Sequence, residues 1–148
     1  MIDDQRSISF VCLANYCRSP VAKVLLQNKF KKVLKVNSAG INPMISAGMD
    51  LRSVKYLKEH NCLFEIHNPR GIDKNFLNFS DIIFAMDTKV LMYLNKNYRR
   101  HVNKFKLFTY KHANMQIKDP YNLSDEEYKS VLDDIKFVVD SFKIEDLR

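Results

Sequence analysis

The chain of 148 residues is 46% hydrophobic and 28% charged. This composition excludes a disordered chain, and no apolar run is long enough for membrane insertion. We expect one globular domain over residues 1–148. The formal net charge of +7 suits an anionic partner, such as nucleic acid, a phosphorylated protein or an acidic membrane surface.

Basic residues concentrate in residues 29–32 and 97–106, which we expect to be solvent-exposed faces. The chain has no aromatic-basic repeat, so we expect no binding to nucleic acid. Early acidic residues, and no long apolar segment near the N-terminus, indicate that there is no signal peptide. Three irregularly spaced cysteines argue against a disulfide scaffold and for a reducing, cytoplasmic location.

Strand and helix patterns alternate along the chain. In chain order they are a strand at 7–12, a helix at 19–32, a strand at 33–40, helices at 50–60 and 73–79, a strand at 81–86, a helix at 88–98, a strand at 104–108 and a helix at 124–142. This alternation predicts an α/β protein with a four-stranded parallel sheet and helices on both faces.

Polar residues mark the expected starts of the helices. Ser19 is the predicted N-cap of the first helix, and Pro20 occupies its first position. Asp87 is the predicted N-cap of the helix that follows it. Ser124 and Glu127 form a capping-box pattern at the start of the last helix.

The sequence FVCLANYCRSP, residues 10–20, joins the first strand to the first helix. Ligands of such sheets bind at the carboxyl ends of the strands, where residues 12–18 fall. The backbone N–H groups of this loop, the helix N-terminus and the Arg18 guanidinium can bind a tetrahedral oxyanion. The same positive groups favour the thiolate of Cys12, which is the nucleophilic form. The alternative is a buried structural cysteine beside a surface arginine.

Residue spacing disfavours two other kinds of site. No Gly-Lys-Ser or Gly-Lys-Thr follows the loop, which excludes the usual nucleotide-binding loop. Cys12, Cys17 and Cys62 include no C-x2-C pair, and no histidine has ligand-like spacing to them. We therefore expect no metal site and no cofactor.

Cleavage of a phosphate ester by a thiolate needs a proton donor for the leaving oxygen. The segment IKDPYN, residues 117–122, offers Asp119 in a loop just before the last helix. Pro120 biases Asp119 toward an extended conformation. Asp119 is therefore the candidate general acid, and a plain Asp-Pro turn is the alternative.

Four motifs together resemble the low-molecular-weight protein tyrosine phosphatases. They are VCLANYCRSP at 11–20, SAG at 38–40, AMD at 85–87 and DPY at 119–121, and their order and spacing match over nearly the whole chain. The spacing from SAG to Asp50, and EHNCLFEIHNPRGI after it, are similar to the bacterial branch linked to exopolysaccharide export. The resemblance implies a four-stranded parallel sheet. It also implies a phosphotyrosine protein as partner, such as an autophosphorylating tyrosine kinase that the phosphatase opposes.

The resemblance also implies roles for individual residues. Cys12 attacks phosphorus and forms a phosphocysteine intermediate. Asp119 protonates the leaving phenolate and then activates the hydrolytic water. The transferring phosphoryl group is bound by Arg18 and by the loop formed of Leu13, Ala14, Asn15, Tyr16 and Cys17.

A supporting hydrogen-bond network is implied as well. Ser19 is expected to donate a hydrogen bond to the Cys12 sulfur. Asn15, Ser38 and His67 match positions of the family that hold the loop in shape.

The substrate cleft contains the departures from the family. Tyr121 is expected to flank the cleft and stack on the substrate ring. Glycine is usual at Ala14, and a positive φ there would cost alanine about 1 kcal/mol. Tyr16 replaces a small aliphatic residue, or the threonine of the related phosphoarginine phosphatases. Met44 stands where a large aromatic is frequent, and Asn122 replaces a second tyrosine.

These observations predict a cytoplasmic, metal-independent phosphotyrosine-protein phosphatase that hydrolyses aryl phosphate monoesters. Two alternatives stay open: a non-catalytic phosphotyrosine-binding module, and a thiol-dependent arsenate reductase of the same fold, for which Cys62 does not supply the needed close pair. Cys17 either forms a reversible disulfide with the nucleophile, as in the family, or is a small buried hydrophobe. The sequence carries no signal for an oligomeric state.

Overall fold

Strands and helices alternate in the computed structural model, which describes residues 5–148. The strands are β1 (Arg6–Cys12), β2 (Leu34–Gly40), β3 (Ile82–Ala85) and β4 (Phe105–Leu107). The helices are α1 (Arg18–Phe30), α2 (Leu51–Glu59), α3 (Lys74–Phe79), α4 (Thr88–Asn97) and α5 (Asp125–Ser141), with 3-10 turns at Lys31–Val33, Arg99–Lys104 and Ile144–Leu147. All the predicted strands and helices are present, and their ends lie within two residues of the prediction.

The four strands form one parallel sheet in the order β2-β1-β3-β4. In this register Cys12 lies opposite Gly40, and Val11 lies opposite Ala85. The carboxyl ends of the strands therefore meet at one edge of the sheet, where residues 12–18 begin. The predicted fold class, an α/β domain with a four-stranded parallel sheet, is confirmed.

Helices cover both faces of the sheet because the side chains of β1 alternate. Ile8 and Phe10 point into a core that is shared with α1 and α5. Val11 points into a second core with residues of α3 and α4. Ile8, Phe10 and Val11 are fully buried, so β1 is covered on both faces of the sheet.

The start of α1 differs from prediction. The helix begins at Arg18, its N-cap position is Cys17, and no side chain caps it. Ser19 lies inside the first turn and is fully buried, because its hydroxyl binds Cys12 and Asn15 instead. Pro20 is therefore the third helical residue and not the first.

The other predicted caps are present. Asp87 Oδ1 accepts a hydrogen bond from Val90 N at 2.8 Å. Ser124 Oγ accepts from Glu127 N at 3.2 Å, and its own hydroxyl donates to the Glu127 carboxylate. These bonds satisfy backbone donors that a helix start leaves open.

Candidate active site

The carbonyl groups of residues 12–17 all point away from the centre of the loop. Each one accepts a hydrogen bond from a group outside the loop. The donors, in order along the chain, are Ile41 N, Asn42 N, Met44 N, His67 Nε2, Asp50 N and Ser53 Oγ, at distances of 2.7 to 3.1 Å.

This arrangement turns the backbone N–H groups inward. In a trans peptide the C=O of one residue and the N–H of the next point in opposite directions. Holding six carbonyls outward therefore directs the N–H groups of residues 13–18 toward the cavity. Among the described residues, none accepts a hydrogen bond from the N–H groups of residues 13–17. Such a ring of donors is an anion-binding concavity.

Asn15 supports the loop from behind the cavity. It is fully buried, and its φ of 51° lies in the left-handed region that asparagine tolerates. Its Nδ2 donates to Ser19 Oγ and Ser38 Oγ at 2.9 Å each, and its Oδ1 accepts from Arg70 N at 3.0 Å. Its carbonyl accepts from His67 Nε2 at 2.7 Å. The four residues expected to support the loop are thus brought together.

The unusual Ala14 does not have a positive φ. In the described part of the chain, the non-glycine residues with positive φ are Asn15, Lys31, Ser46 and Asn61. The left-handed position of the loop is therefore Asn15 and not Ala14, and the Ala14 methyl group only adds to the wall of the cavity.

Gly40 allows the loop to pack against the end of β2. A Cβ atom built at Gly40 would lie 2.7 Å from Asn15 N and 2.9 Å from Leu13 O. A side chain at this position would therefore displace the backbone that forms the anion site. Sequence reasoning matched the SAG motif but missed this close approach, which no local pattern encodes.

Cys12 lies on the floor of the cavity and is almost fully buried. Its Sγ is 2.9 Å from Ser19 Oγ, which also accepts a hydrogen bond from Asn15 Nδ2. Since Asn15 occupies an acceptor position of the hydroxyl, the Ser19 proton can be donated to the sulfur at 2.9 Å or to Ala39 O at 3.4 Å, and the sulfur is the nearer acceptor. The Ser19 hydroxyl and the inward N–H groups of the loop thus surround the sulfur with hydrogen-bond donors.

Arg18 is held in place by two acceptors. Its Nη1 donates to Asp87 Oδ2 at 2.7 Å and to Ile117 O at 2.9 Å, and only 3% of its side chain is exposed. No described residue accepts from its Nε or Nη2. The guanidinium also lines the cavity, so these donors are available to an oxyanion. Sequence reasoning assigned Asp87 only as a helix cap.

The cavity has a volume of about 430 Å³ and brings together most of the residues predicted from the sequence. Its lining includes the nucleophile and arginine candidates, the acid candidate Asp119 and the expected cleft residues. These residues are Cys12, Leu13, Ala14, Tyr16, Cys17, Arg18, Asn42, Met44, Asp119, Tyr121 and Asn122. The supporting residues Asn15, Ser19, Ser38 and His67 are not in the lining and lie behind the loop.

The mouth of the cavity is aromatic. The rings of Tyr16 and Tyr121 meet edge to face, with centroids 6.0 Å apart. Burial raises the pKa of the Tyr16 phenol, and the nearby Asp50 carboxylate adds to the rise. Tyr16 is therefore neutral at physiological pH and presents an uncharged wall.

Arg52 joins the loop that carries Asp119 to the anion-binding loop. It binds both carboxylate oxygens of Asp50 at 3.0 Å, and Asp50 N donates to Tyr16 O. Its Nη2 donates to Tyr121 O at 3.0 Å, and Tyr121 N in turn donates to Asp119 Oδ1 at 3.2 Å. One guanidinium thus links both halves of the site. Sequence reasoning missed Arg52, which is far from both loops in sequence.

Cys17 is a poor nucleophile in this structure. Burial raises the pKa of its thiol to about 12, and the Asp50 carboxylate, whose Oδ2 lies 4.0 Å from the sulfur, adds to the rise. The thiol is therefore protonated at neutral pH. Cys12, Cys17 and Cys62 are all free.

Two kinds of feature are absent from residues 5–148. No group of three or more His, Cys, Asp or Glu side chains there could hold a metal ion. None of the helices in the same range is both long and apolar enough to cross a bilayer.

The fold and the site together define a class of protein. A parallel α/β sheet whose first strand ends in a cysteine, followed by an anion-binding loop and an arginine, is the architecture of a cysteine-dependent phosphatase. The model of the low molecular weight phosphotyrosine protein phosphatase family matches residues 7–147. The chain belongs to this family.

Similar proteins agree with this assignment. The low molecular weight protein-tyrosine-phosphatase Wzb of Escherichia coli K12 is 32% identical over 125 residues, which are 84% of each chain. The probable low molecular weight protein-tyrosine-phosphatase AmsI of Erwinia amylovora is 28% identical over 84% of this chain and 86% of its own. The solved structure of Vibrio vulnificus Wzb with benzylphosphonate has a TM-score of 0.84 at 26% identity, covering 93% of this chain and 96% of that one. The resemblance to the bacterial branch is confirmed.

A relative with another specificity is also similar. A protein-arginine-phosphatase of Geobacillus stearothermophilus is 27% identical over 137 residues, which are 90% of each chain. Similarity of this degree therefore extends to a relative that is named for a different substrate.

Proposed function

We infer that this chain is a phosphotyrosine-protein phosphatase that hydrolyses aryl phosphate monoesters through a phosphocysteine intermediate. The observation that carries this proposal is the juxtaposition of Cys12, Arg18 and Asp119 around one cavity, with six inward N–H groups at its floor. Family membership and the named relatives support the same activity.

In the first step, the phosphoryl oxygens bind to the N–H groups of residues 13–18 and to Arg18. The Cys12 thiolate attacks phosphorus, so that an S–P bond forms as the P–O bond to the phenol breaks. The protonated Asp119 transfers its proton to the leaving oxygen. The donors around the phosphoryl group stabilise the charge that its oxygens carry in the transition state.

In the second step, water attacks the phosphocysteine. The Asp119 carboxylate accepts a proton from this water, the S–P bond breaks, and the Cys12 thiolate is restored together with inorganic phosphate. The hydrogen bond from Ser19 stabilises the departing sulfur. This reaction uses side chains of this protein alone, and we propose that it needs neither metal nor cofactor.

The walls of the cleft favour an aromatic ring over an alkyl guanidinium. Tyr16, Tyr121 and Met44 surround the path to Cys12 with two rings and a polarisable side chain. Tyr16 stands where the arginine-phosphatase branch is expected to have threonine. We therefore propose phosphotyrosine and not phosphoarginine as the substrate.

The likeness to Wzb and AmsI extends the proposal to a partner and a compartment. We propose that the physiological substrate is an autophosphorylating tyrosine kinase of polysaccharide export. The catalytic thiolate must stay reduced, which fits the cytoplasm. We propose that Cys17, which lines the same cavity, forms a disulfide with the sulfenic acid of an oxidised Cys12 with loss of water, and that the raised pKa of the Cys17 thiol makes this step slow at neutral pH.

Hydrolysis of p-nitrophenyl phosphate and of a phosphotyrosine peptide tests the proposal. Cys12→Ser should abolish turnover, whereas Cys62→Ser, remote from the cavity, should retain it. Normal turnover by Cys12→Ser would refute the mechanism. Tight phosphopeptide binding by the unaltered protein without hydrolysis would instead select the non-catalytic module, and arsenate-dependent consumption of thiols would select the reductase.

A further inference from the structure

The positive charge of the protein is concentrated in one segment. Residues 88–118 contain eight Lys or Arg and no Asp or Glu, so the rest of the chain is close to neutral. The segment begins directly after Asp87, which holds Arg18, and ends directly before Asp119. It forms α4, the following 3-10 turn and β4, which is an end strand of the sheet.

Seven of the eight cations of this segment have no carboxylate within 4.0 Å among the described residues, and four of the seven are exposed on α4 and the turn that follows it. Lys89, Lys96, Arg99 and Arg100 are exposed, and no carboxylate of the described residues lies within 4.0 Å of their charged groups. We call these four residues the α4 basic surface.

Other cations of the segment have partners within the protein. Lys111 pairs with Asp146 at 2.8 Å, and Lys104 Nζ donates to Leu77 O at 2.7 Å. Lys106 and Lys118 are also exposed without a carboxylate partner, so the α4 basic surface is distinguished by its continuous placement along α4 and the following turn.

The α4 basic surface continues from the catalytic cleft. Lys89 is two residues after Asp87, and α4 runs from there across one face of the sheet, where Val90 and Leu94 pack. Its ten residues span about 15 Å, the length of roughly five residues of extended chain. The exposed Met92 and Tyr93 line a shallow concavity together with Lys96 and Arg99, so apolar contact is available between the charges.

We propose that the α4 basic surface binds an acidic segment of the polypeptide that presents the phosphotyrosine, roughly three to eight residues away from it. The inference rests on the proposed phosphatase activity and adds a determinant of substrate choice. A line of cations one helix wide matches an extended acidic chain, whereas a membrane surface is matched by a broad basic cluster. Exposed cations mainly raise the rate at which an acidic ligand associates, and dissolved salt weakens this effect by screening their charge.

The test compares two phosphotyrosine peptides that differ only in having Glu or Gln three to eight residues from the phosphotyrosine. We expect the Glu peptide to have about tenfold higher kcat/KM at low salt, and the difference to shrink as NaCl is raised. Arg99→Glu with Arg100→Glu should remove the preference and leave turnover of p-nitrophenyl phosphate unchanged.

Lys31→Glu with Lys32→Glu is the matched control. Both lysines are exposed, and they precede β2 at the opposite end of the strand order. This pair makes the same change in net charge, and it should keep the preference for the acidic peptide. If both double variants lose the preference for the Glu peptide equally, the preference depends on the net charge of the protein and not on the α4 basic surface, and the proposal is wrong.

Three results separate the possible failures. If the protein turns over p-nitrophenyl phosphate normally but does not prefer the Glu peptide, the proposed role of the α4 basic surface is wrong and the proposed function stands. No turnover of any aryl phosphate overturns the proposed function itself. A third result would overturn the assignment of an acidic peptide as the ligand. In that result the protein shows no preference for the Glu peptide but binds an oligonucleotide or anionic vesicles, and the double variant Arg99→Glu with Arg100→Glu loses this binding.

Discussion

Arg18 and Asp87 form a nearly buried ion pair, with Arg18 Nη1 2.7 Å from Asp87 Oδ2. The other oxygen of Asp87 caps α4. One carboxylate therefore fixes both the start of a helix and the orientation of the arginine that lines the anion cavity. Because Asp87 follows β3 and Arg18 follows β1, the pair also ties together two adjacent strand ends.

Replacing Asp87 should damage activity more than stability. Asp87→Asn keeps a capping oxygen but loses the charge that holds Arg18, so kcat/KM for p-nitrophenyl phosphate should fall about 10–100-fold. The free energy of unfolding should fall by about 1–3 kcal/mol. Steady-state kinetics and urea unfolding measure the two effects.

Asp73 offers a matched control for Asp87. It caps α3 through Phe76 N and pairs with Arg70 at 3.1 Å, but it does not contact Arg18. Asp73→Asn should lower stability modestly and keep kcat/KM. Similar kinetic losses in the two variants would show that Asp87 acts only through the general stability of the fold.

Arg52 should position the general acid. Asp119→Ala should slow turnover strongly with poor leaving groups and less with good ones, since only a poor leaving group needs the proton. Arg52→Met removes the bond to Tyr121 O, so it should show a weaker form of the same pattern. The measurement is kcat for aryl phosphates over a range of phenol pKa.

A double variant separates positioning from a structural effect of Arg52. Once Asp119 is absent, Arg52→Met should add little to the dependence on the leaving group. Lys55→Met is the control, because Lys55 lies on the same helix and pairs only loosely with Glu59 at 3.8 Å. Equal slowing of good and poor leaving groups by Arg52→Met would contradict the positioning role.

Tyr16 should determine the preference for an aromatic substrate. Tyr16→Thr removes one wall of the cleft, so kcat/KM for a phosphotyrosine peptide should fall about 10-fold. Tyr16→Phe keeps the ring and should stay close to the unaltered protein. The same assays with a phosphoarginine peptide complete the comparison, and phosphoarginine hydrolysis by the unaltered protein at the phosphotyrosine rate would refute the assignment.

His67 should make stability depend on pH. Burial lowers the pKa of its imidazole, although the hydrogen bond to Asn15 O opposes this shift. The unfolded chain therefore binds a proton more readily than the folded one near its usual pKa of about 6.5. The stability contribution of neutral His67 is present above that pH and is lost as pH falls through the folded pKa.

Unfolding of His67→Gln tests this dependence, because glutamine can donate to Asn15 O without titrating. The unaltered protein should lose more stability than His67→Gln between pH 7 and pH 5, as measured by urea unfolding. Parallel pH profiles for the two proteins would show that His67 contributes nothing to acid sensitivity.

The fold class and the candidate catalytic residues could be predicted from the sequence alone. The alternation of strand and helix patterns along the chain predicted a parallel sheet with helices on both faces. Cys12 and Arg18 were evident as candidates because they follow a strand and precede a helix. Asp119 was evident only as a carboxylate in a suitable loop.

The tertiary structure decided how the loop is held. Ser19 was expected to cap α1, but contacts with Cys12 and Asn15 take its hydroxyl inside the first turn. Glycine is usual at Ala14, but the residue of the loop that adopts a positive φ is Asn15. The six donors to the loop carbonyls come from residues 41–67, and Gly40, Asp87 and Arg52 act through contacts distant in sequence. Local patterns record which groups a loop contains, whereas the direction of each peptide depends on partners that only the folded chain brings near.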